Sequence, residues 1–143
     1  MIRLEAIDET NWRYPLRVSE AQKAYVAGTA ALLARAYAYR RLHSRAFLVC
    51  DGETPVGMGL YYDCPELDAY DLSQFFIDER YQQRGYARAA VRLVLDAMKQ
   101  EGRYRKVLLC HIKGNAAAKS LYGSFGFVET GCDGDEIVME KLL

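Results

Sequence analysis

The segment Gln82-Gln83-Arg84-Gly85-Tyr86-Ala87-Arg88 stands between an apolar run, Leu72 to Ile77, and a long amphipathic stretch. A helix that opens on such a loop leaves its first backbone N–H groups without intrahelical partners and carries positive partial charge there. Gly85 and Ala87 keep side chains small where an anion would approach those amides. Arg84, Arg88 and Arg92 recur every fourth residue and share one helix face. Arg84 and Arg88 suit either phosphate contact or solvent, and Arg92 suits solvent. The unit therefore fits a phosphate cradle, although an ordinary strand-to-helix connection has the same composition. It is neither a Gly-x-x-x-x-Gly-Lys-Ser/Thr loop nor a Gly-x-Gly-x-x-Gly turn, which excludes the two best-known nucleotide cradles.

A second chemical feature lies just upstream. Asp63-Cys-Pro-Glu-Leu-Asp-Ala-Tyr-Asp71 holds four acids in nine residues and reads as a loop. Asp63, Glu66, Asp68 and Asp71 could supply negative potential to a di- or polycation, or could be solvated surface charges. Trp12 or a tyrosine could add a cation–π contact. His111 has a suitable titration range for proton transfer, but a single histidine on a strand is commonly structural.

The elements that must hold these residues follow from periodicity. Ile2 to Ala6 alternates as a strand, Asn11 to Leu16 suits a short helix, and Ser19-Glu-Ala-Gln22 has capping-box form. Ala30 to Leu42 is helical by propensity. Arg45 to Cys50 and Pro55 to Tyr62 form a hairpin turned at Asp51-Gly52. Asp71 to Ile77 is the next strand, and Ala87 to Glu101 a helix with an apolar stripe at 91, 94, 95 and 98, ended by Gly102. Lys106 to Ile112 is a strand. Asn115 caps a helix carrying Ala118, Leu121, Tyr122 and Phe125 on one face, stopped by Gly126 with Phe127 in Schellman position. Val128 to Leu143 closes as a hairpin around Cys132-Asp-Gly-Asp135.

The 143 residues, 51% apolar and 27% charged, suit one domain spanning 1–143 with its own core. Nineteen basic residues balance nineteen acidic ones, which disfavours a nucleic-acid or acidic-membrane surface. The start lacks a signal-peptide pattern, and no apolar run has membrane-spanning length. Cys50, Cys64, Cys110 and Cys132 are widely spaced, as expected for reduced thiols in a cytoplasmic protein, and offer no metal site.

Gln82 to Ala87 resembles the Gln/Arg-x-x-Gly-x-Gly/Ala signature of the GNAT superfamily of acetyl-CoA-dependent N-acetyltransferases. Asn115-Ala-Ala-Ala-Lys-Ser-Leu-Tyr122-Gly-Ser-Phe-Gly-Phe127 resembles that superfamily's second signature, Asn-x-x-Ala-x-x-x-Tyr-x-x-x-Gly-Phe. Both occur in the right order, separated by one helix and one strand, and the resemblance covers the whole chain. More narrowly, Phe75-Phe-Ile-Asp-Glu-Arg-Tyr-Gln82 is similar to small bacterial spermine/spermidine acetyltransferases.

The resemblance implies an α/β (α+β) fold: a mixed, strongly twisted sheet of six to seven strands with helices on both faces. Two neighbouring strands, ending at Ile77 and near Ile112, splay apart, so that an extended ligand can add like a strand. Acetyl-CoA is implied as cofactor. Phe75, Phe76 and Ile77 offer main-chain partners to pantetheine, Gln82 to Arg88 wrap the pyrophosphate, and Asn115, Ala116, Ala117 and Ala118 contact the CoA arm. Backbone N–H groups near Phe76 and Ile77 are placed to stabilise an oxyanion. Tyr122 matches the family's general acid.

The base departs from pattern. Relatives often carry a carboxylate where this chain has Ser73. Asp71, two residues earlier, lies on the same strand face and could act through water or simply end its strand in solvent. An amine with a reference pKa of about 10 must lose a proton before attack. The expected acceptor is spermine or spermidine, with Asp63, Glu66, Asp68 and Ser73 as substrate-binding candidates. Another amine, such as a protein N-terminus, lysine or an aminoglycoside, is the alternative, as is a non-catalytic acyl-CoA sensor. Analogy implies a homodimer.

Overall fold

The computed structural model describes residues 1–25 and 27–143. Seven strands, β1 (Ile2–Ala6), β2 (Arg45–Asp51), β3 (Thr54–Cys64), β4 (Ala69–Ile77), β5 (Lys106–Ile112), β6 (Val128–Asp133) and β7 (Glu136–Leu142), form one sheet. Their order is β1-β2-β3-β4-β5-β7-β6. All neighbours are antiparallel except β4 and β5. The helices are α1 (Thr29–Ala38), α2 (Tyr86–Glu101) and α3 (Ala116–Gly123). The mixed sheet, with helices on both faces, is the architecture the sequence resemblance implied.

Alternation along the strands builds two apolar layers, one per face. Val91, Val94, Leu95 and Met98 of α2 pack with Tyr70, Leu72, Val107 and Leu109, as the stripe predicts. Leu32 of α1 packs with Leu48, Met58, Leu60 and Phe76 on the other face, joined by Leu16 and Val18.

The parallel contact between β4 and β5 runs only through Tyr70–Val107 and Asp71–Leu108. Beyond it, β5 continues with β7, and β4 keeps only β3 as a partner. The two strands thus diverge in the middle of the sheet. Gly57 lets β3 stay close to this half of β4, because a Cβ there would meet the Phe76 carbonyl oxygen at 2.6 Å. A bulge at Ser73, between Tyr61–Leu72 and Leu60–Gln74, resets the side-chain phase within β4. Tyr70 and Leu72 therefore share the α2 side with Phe75 and Ile77.

Three expectations need correction. Asn11 to Leu16 is no helix: Trp12 N–H donates to the Asp8 carbonyl in a turn, and an extended strap follows. Pro15 biases Tyr14 away from helical dihedrals, and Leu16 and Val18 are buried instead. The capping box is not formed, since the Ser19 hydroxyl is buried without a partner among the described residues and α1 begins after Gly28. The acidic loop is much shorter than the sequence suggested. β3 runs to Cys64 and β4 starts at Ala69, so Asp63 and Asp71 are strand residues flanking one tight turn.

Candidate active site

The divergence of β4 and β5 opens a cleft made of two cavities that share Phe75, Asn115, Ala118 and Tyr122. The first, about 460 Å³, is lined by the loop after β4 and the starts of α2 and α3. The second, about 590 Å³, lies toward α1 and the turn before it, which contributes Lys23 and Tyr25.

The loop of the first cavity is anchored by Asp78, which is fully buried. Its carboxylate accepts from the Arg17 N–H at 2.9 Å, the Arg80 N–H at 2.9 Å and the Arg80 guanidinium at 2.9 and 3.1 Å. Burial opposes its charge, but these bonds hold the carboxyl below the usual carboxylate range. Asp78 thereby ties the strap to the end of β4. Nothing in the sequence distinguished it from a surface acid.

Gln83 (φ +62°) and Gly85 (φ +81°) are both left-handed, which turns the chain into α2. A Cβ on Gly85 would meet nothing within 4 Å, so its backbone angle rather than lack of space calls for glycine. Gln82 Nε2 donates to the Ile77 carbonyl at 3.3 Å, and Tyr86 Oη to Asp51 at 2.7 Å. Arg88 lines the cavity while its Nη1 donates to Ser124 Oγ at 2.8 Å. Arg84 and Ala116 are not among the lining residues. Asn115, 6% exposed, caps α3 by accepting from Ala118 N–H at 3.2 Å.

Tyr122 stands where the cavities meet. The Phe127 N–H donates to the Tyr122 carbonyl at 3.2 Å and the Gly126 N–H to Gly123 at 3.0 Å, the pair of bonds that defines a Schellman ending. The Phe127 ring packs edge-on against Tyr122, with centroids 5.6 Å apart. Burial raises the phenol well above its ordinary pKa, so it keeps its proton at neutral pH.

In the second cavity Asp71 and Ser73 lie together with Arg35, Lys23, Tyr62, His111 and Glu136. Burial pushes the Asp71 carboxyl up to about 6, Arg35 pulling it back and Glu136 adding to the rise. Ser73 Oγ accepts from Arg35 Nη1 at 2.9 Å and from Tyr62 Oη at 3.1 Å. With both lone pairs engaged, the Ser73 hydroxyl has only its proton to offer the cavity. The Tyr62 ring stacks on Tyr39, with centroids 4.3 Å apart, and burial pushes its hydroxyl up to about 12. His111 Nε2 is buried without a partner among the described residues. Arg35, Tyr62 and Glu136 were not singled out from sequence, because their relation to Asp71 is purely tertiary.

Asp63, expected to bind substrate, is placed elsewhere. One residue past Tyr62, it points to the opposite sheet face and is 2% exposed. Arg103 (2.7 Å), His43 (2.8 Å) and Arg45 (3.3 Å) surround it. Against the pull of burial, they hold its carboxyl below the ordinary range. Glu66 and Asp68 are exposed on the turn and line neither cavity, and Trp12 lies outside both.

Residues 4–127 match the model of the acetyltransferase (GNAT) family. The chain belongs to this family. Among relatives, the spermine/spermidine N(1)-acetyltransferase of Bacillus subtilis (strain 168) is 26% identical over 152 residues, covering 99% of both chains. The spermidine N-acetyltransferase of Vibrio cholerae, solved in complex with CoA and spermine, has the same fold. It superposes with a TM-score of 0.78 at 21% identity, over 99% of this chain and 95% of that one. The acetyltransferase from Salmonella typhimurium that modifies the N-terminal serine of ribosomal protein L7/L12 gives 0.75 at 15%, over 99% and 95%.

Acetyl-CoA, the acyl donor of GNAT enzymes, fits the first cavity. The left-handed cap at Gly85 leaves the amides of Tyr86, Ala87 and Arg88 at a helix start, an arrangement whose chemistry suits an anionic group. The unpaired side of β4 offers Phe75 to Ile77 backbone groups to an extended chain. The bound donor supplies an acetyl group activated as a thioester. Among the described residues no helix is long and apolar enough to cross a membrane.

Proposed function

We propose that the protein, acting as one domain, transfers the acetyl group of acetyl-CoA directly to a primary amine of a small polycation such as spermidine or spermine. The observation that carries this reading is the meeting of the two cavities at the buried Tyr122, which supports taking one as the donor site and the other as the acceptor site. Gln82 to Arg88 hold the phosphates through backbone amides, with Arg88 the arginine that lines that cavity. Phe75, Phe76 and Ile77 orient the pantetheine arm, and Asn115, Ala117 and Ala118 form the opposite wall. Asp71 takes a proton from the acceptor ammonium, directly or through water. Its pKa of about 6 leaves it ionised at neutral pH yet more basic than a surface carboxylate. Tyr122, kept protonated by burial, gives a proton to the departing thiolate.

The polyamine class is supported by the relatives named above and by the two carboxylates, Asp71 and Glu136, in the acceptor cavity. Glu66 and Asp68 contribute only long-range negative potential. A second reading, an amine such as lysine that also bears an acidic group, is favoured by Arg35 and Lys23 in the same cavity. We also propose a cytoplasmic enzyme that assembles at least as a homodimer, in line with a dodecameric relative from Vibrio cholerae. A monomer in sedimentation at assay concentration would remove that expectation.

The test is CoA-thiol release from acetyl-CoA with spermine, spermidine, putrescine, lysine, an aminoglycoside and short peptides. Turnover confined to polyamines supports the first reading, and turnover with lysine but not putrescine supports the second. Tight acetyl-CoA binding without turnover of any amine would point to a sensor.

A further inference from the structure

Asp71, half-buried, differs from the two buried carboxylates Asp63 and Asp78 in having no side-chain hydrogen-bond or ion-pair partner among the described residues. Asp63 and Asp78 are held by arginines and hydrogen bonds, whereas Asp71 is acted on by burial and by two charges at a distance. Those charges come from opposite ends of the chain. Arg35, in the last turn of α1, is fastened by its hydrogen bond to Ser73, and the bulge presents Ser73 beside Asp71 in the same cavity. Glu136 opens β7 opposite Ile112 of β5 and lines that cavity from the other side.

We propose that Arg35 and Glu136 are positioning residues of opposite sign that set the pH at which Asp71 becomes a base. This rests on the reading that Asp71 accepts the acceptor's proton. A carboxylate desolvated by burial with no cation nearby is pushed toward its protonated form, and one paired as tightly as Asp63 is too weak a base to help. A guanidinium held one residue-pair away, on a neutral hydroxyl rather than on the carboxylate itself, gives an intermediate outcome. Glu136 offsets part of its effect. The other titratable groups lining the cavity with Asp71 are Lys23 and Tyr25 from the turn before α1, Tyr39 at the end of α1 and Tyr62 from β3. Cys110 and His111 from β5 and Tyr122 from α3 complete the set. Cys110 and Tyr62, both pushed upward by burial, stay neutral near pH 7. Lys23 is committed to Glu20 at 2.6 Å.

The test is a ¹³C NMR titration of protein labelled at aspartate carboxyl carbons, with Asp71→Asn identifying the Asp71 resonance. The expected wild-type midpoint is about 6. Arg35→Gln should raise it by about half to one pH unit, Glu136→Gln should lower it by a smaller amount, and Arg35→Lys should stay near wild type. The acid limb of the kcat profile should move in the same directions. A purely structural role would not give opposite shifts rescued by lysine. Midpoints that stay at the wild-type value in both Arg35→Gln and Glu136→Gln, with Asp71→Asn inactive, overturn this inference and leave the base assignment standing. Wild-type turnover by Asp71→Asn removes the base assignment and the inference with it.

Discussion

Asp63 and Asp71 sit one residue out of step on adjacent strands, Asp63 opposite Tyr70 and Asp71 opposite Tyr62, yet their environments are opposites. Asp63 faces the α2 side, where Arg45, Arg103 and His43 converge, and its charge holds together β2, β3 and the chain after α2. Asp71 faces the cavity without a side-chain partner among the described residues, and its charge is disfavoured by burial. A period of two decides which acid becomes a structural anion and which a poised base. Both stand in one acidic run, and composition treats them alike.

The largest expected contrast is in turnover. Asp71→Asn should lower kcat roughly 10²-fold, in the range of lost general-base catalysis, while folded Asp63→Asn should keep kcat within about twofold of wild type. Steady-state assays below the melting range check both. Equal losses would mean that Asp63 also serves the site.

Stability should show the reverse. Asp63→Asn leaves two arginines and a histidine without their anion and should cost about 2 kcal/mol near pH 7, partly screened because those side chains reach solvent. Because its folded pKa is depressed, the stability that Asp63 contributes is present above its unfolded pKa of about 4 and is lost as pH falls through the lower folded value. The folded pKa of Asp71 is raised, so its ionisation costs stability as pH climbs from about 4 through 6. Asp71→Asn should therefore raise Tm at pH 7.5 and leave it nearly unchanged at pH 4. Thermal melts at the two pH values read both signs, and a destabilised Asp71→Asn at pH 7.5 would break the comparison.

The smallest effect belongs to the exposed turn. Replacing Glu66 and Asp68 together by their amides should change kcat/KM for spermidine by no more than about threefold, and raising the salt should shrink the difference further. A large loss would restore the acidic turn as a direct substrate site.

Legibility from sequence followed the range of the interactions. The loop from Gln82 to Arg88, the Asn115 cap, the Schellman ending behind Tyr122 and the stripe of α2 are local patterns, and each lies where spacing put it. The strap between Tyr14 and Ser19 was misread because Pro15 and the latch to Asp78 outweigh weak helix signals. The bulge at Ser73 leaves no composition cue. Arg35 and Glu136 are 101 positions apart in the chain, and only the fold brings them into one cavity.

The central claim is that donor and acceptor meet on either side of Tyr122 in a single ternary complex. Initial rates with acetyl-CoA and spermidine both varied, for wild type and Tyr122→Phe, test it most directly when combined with calorimetric binding of acetyl-CoA. We predict intersecting double-reciprocal lines, a kcat reduced roughly 10²-fold in Tyr122→Phe, and unchanged acetyl-CoA affinity. Parallel lines, or a Tyr122→Phe enzyme with wild-type kcat, would contradict it.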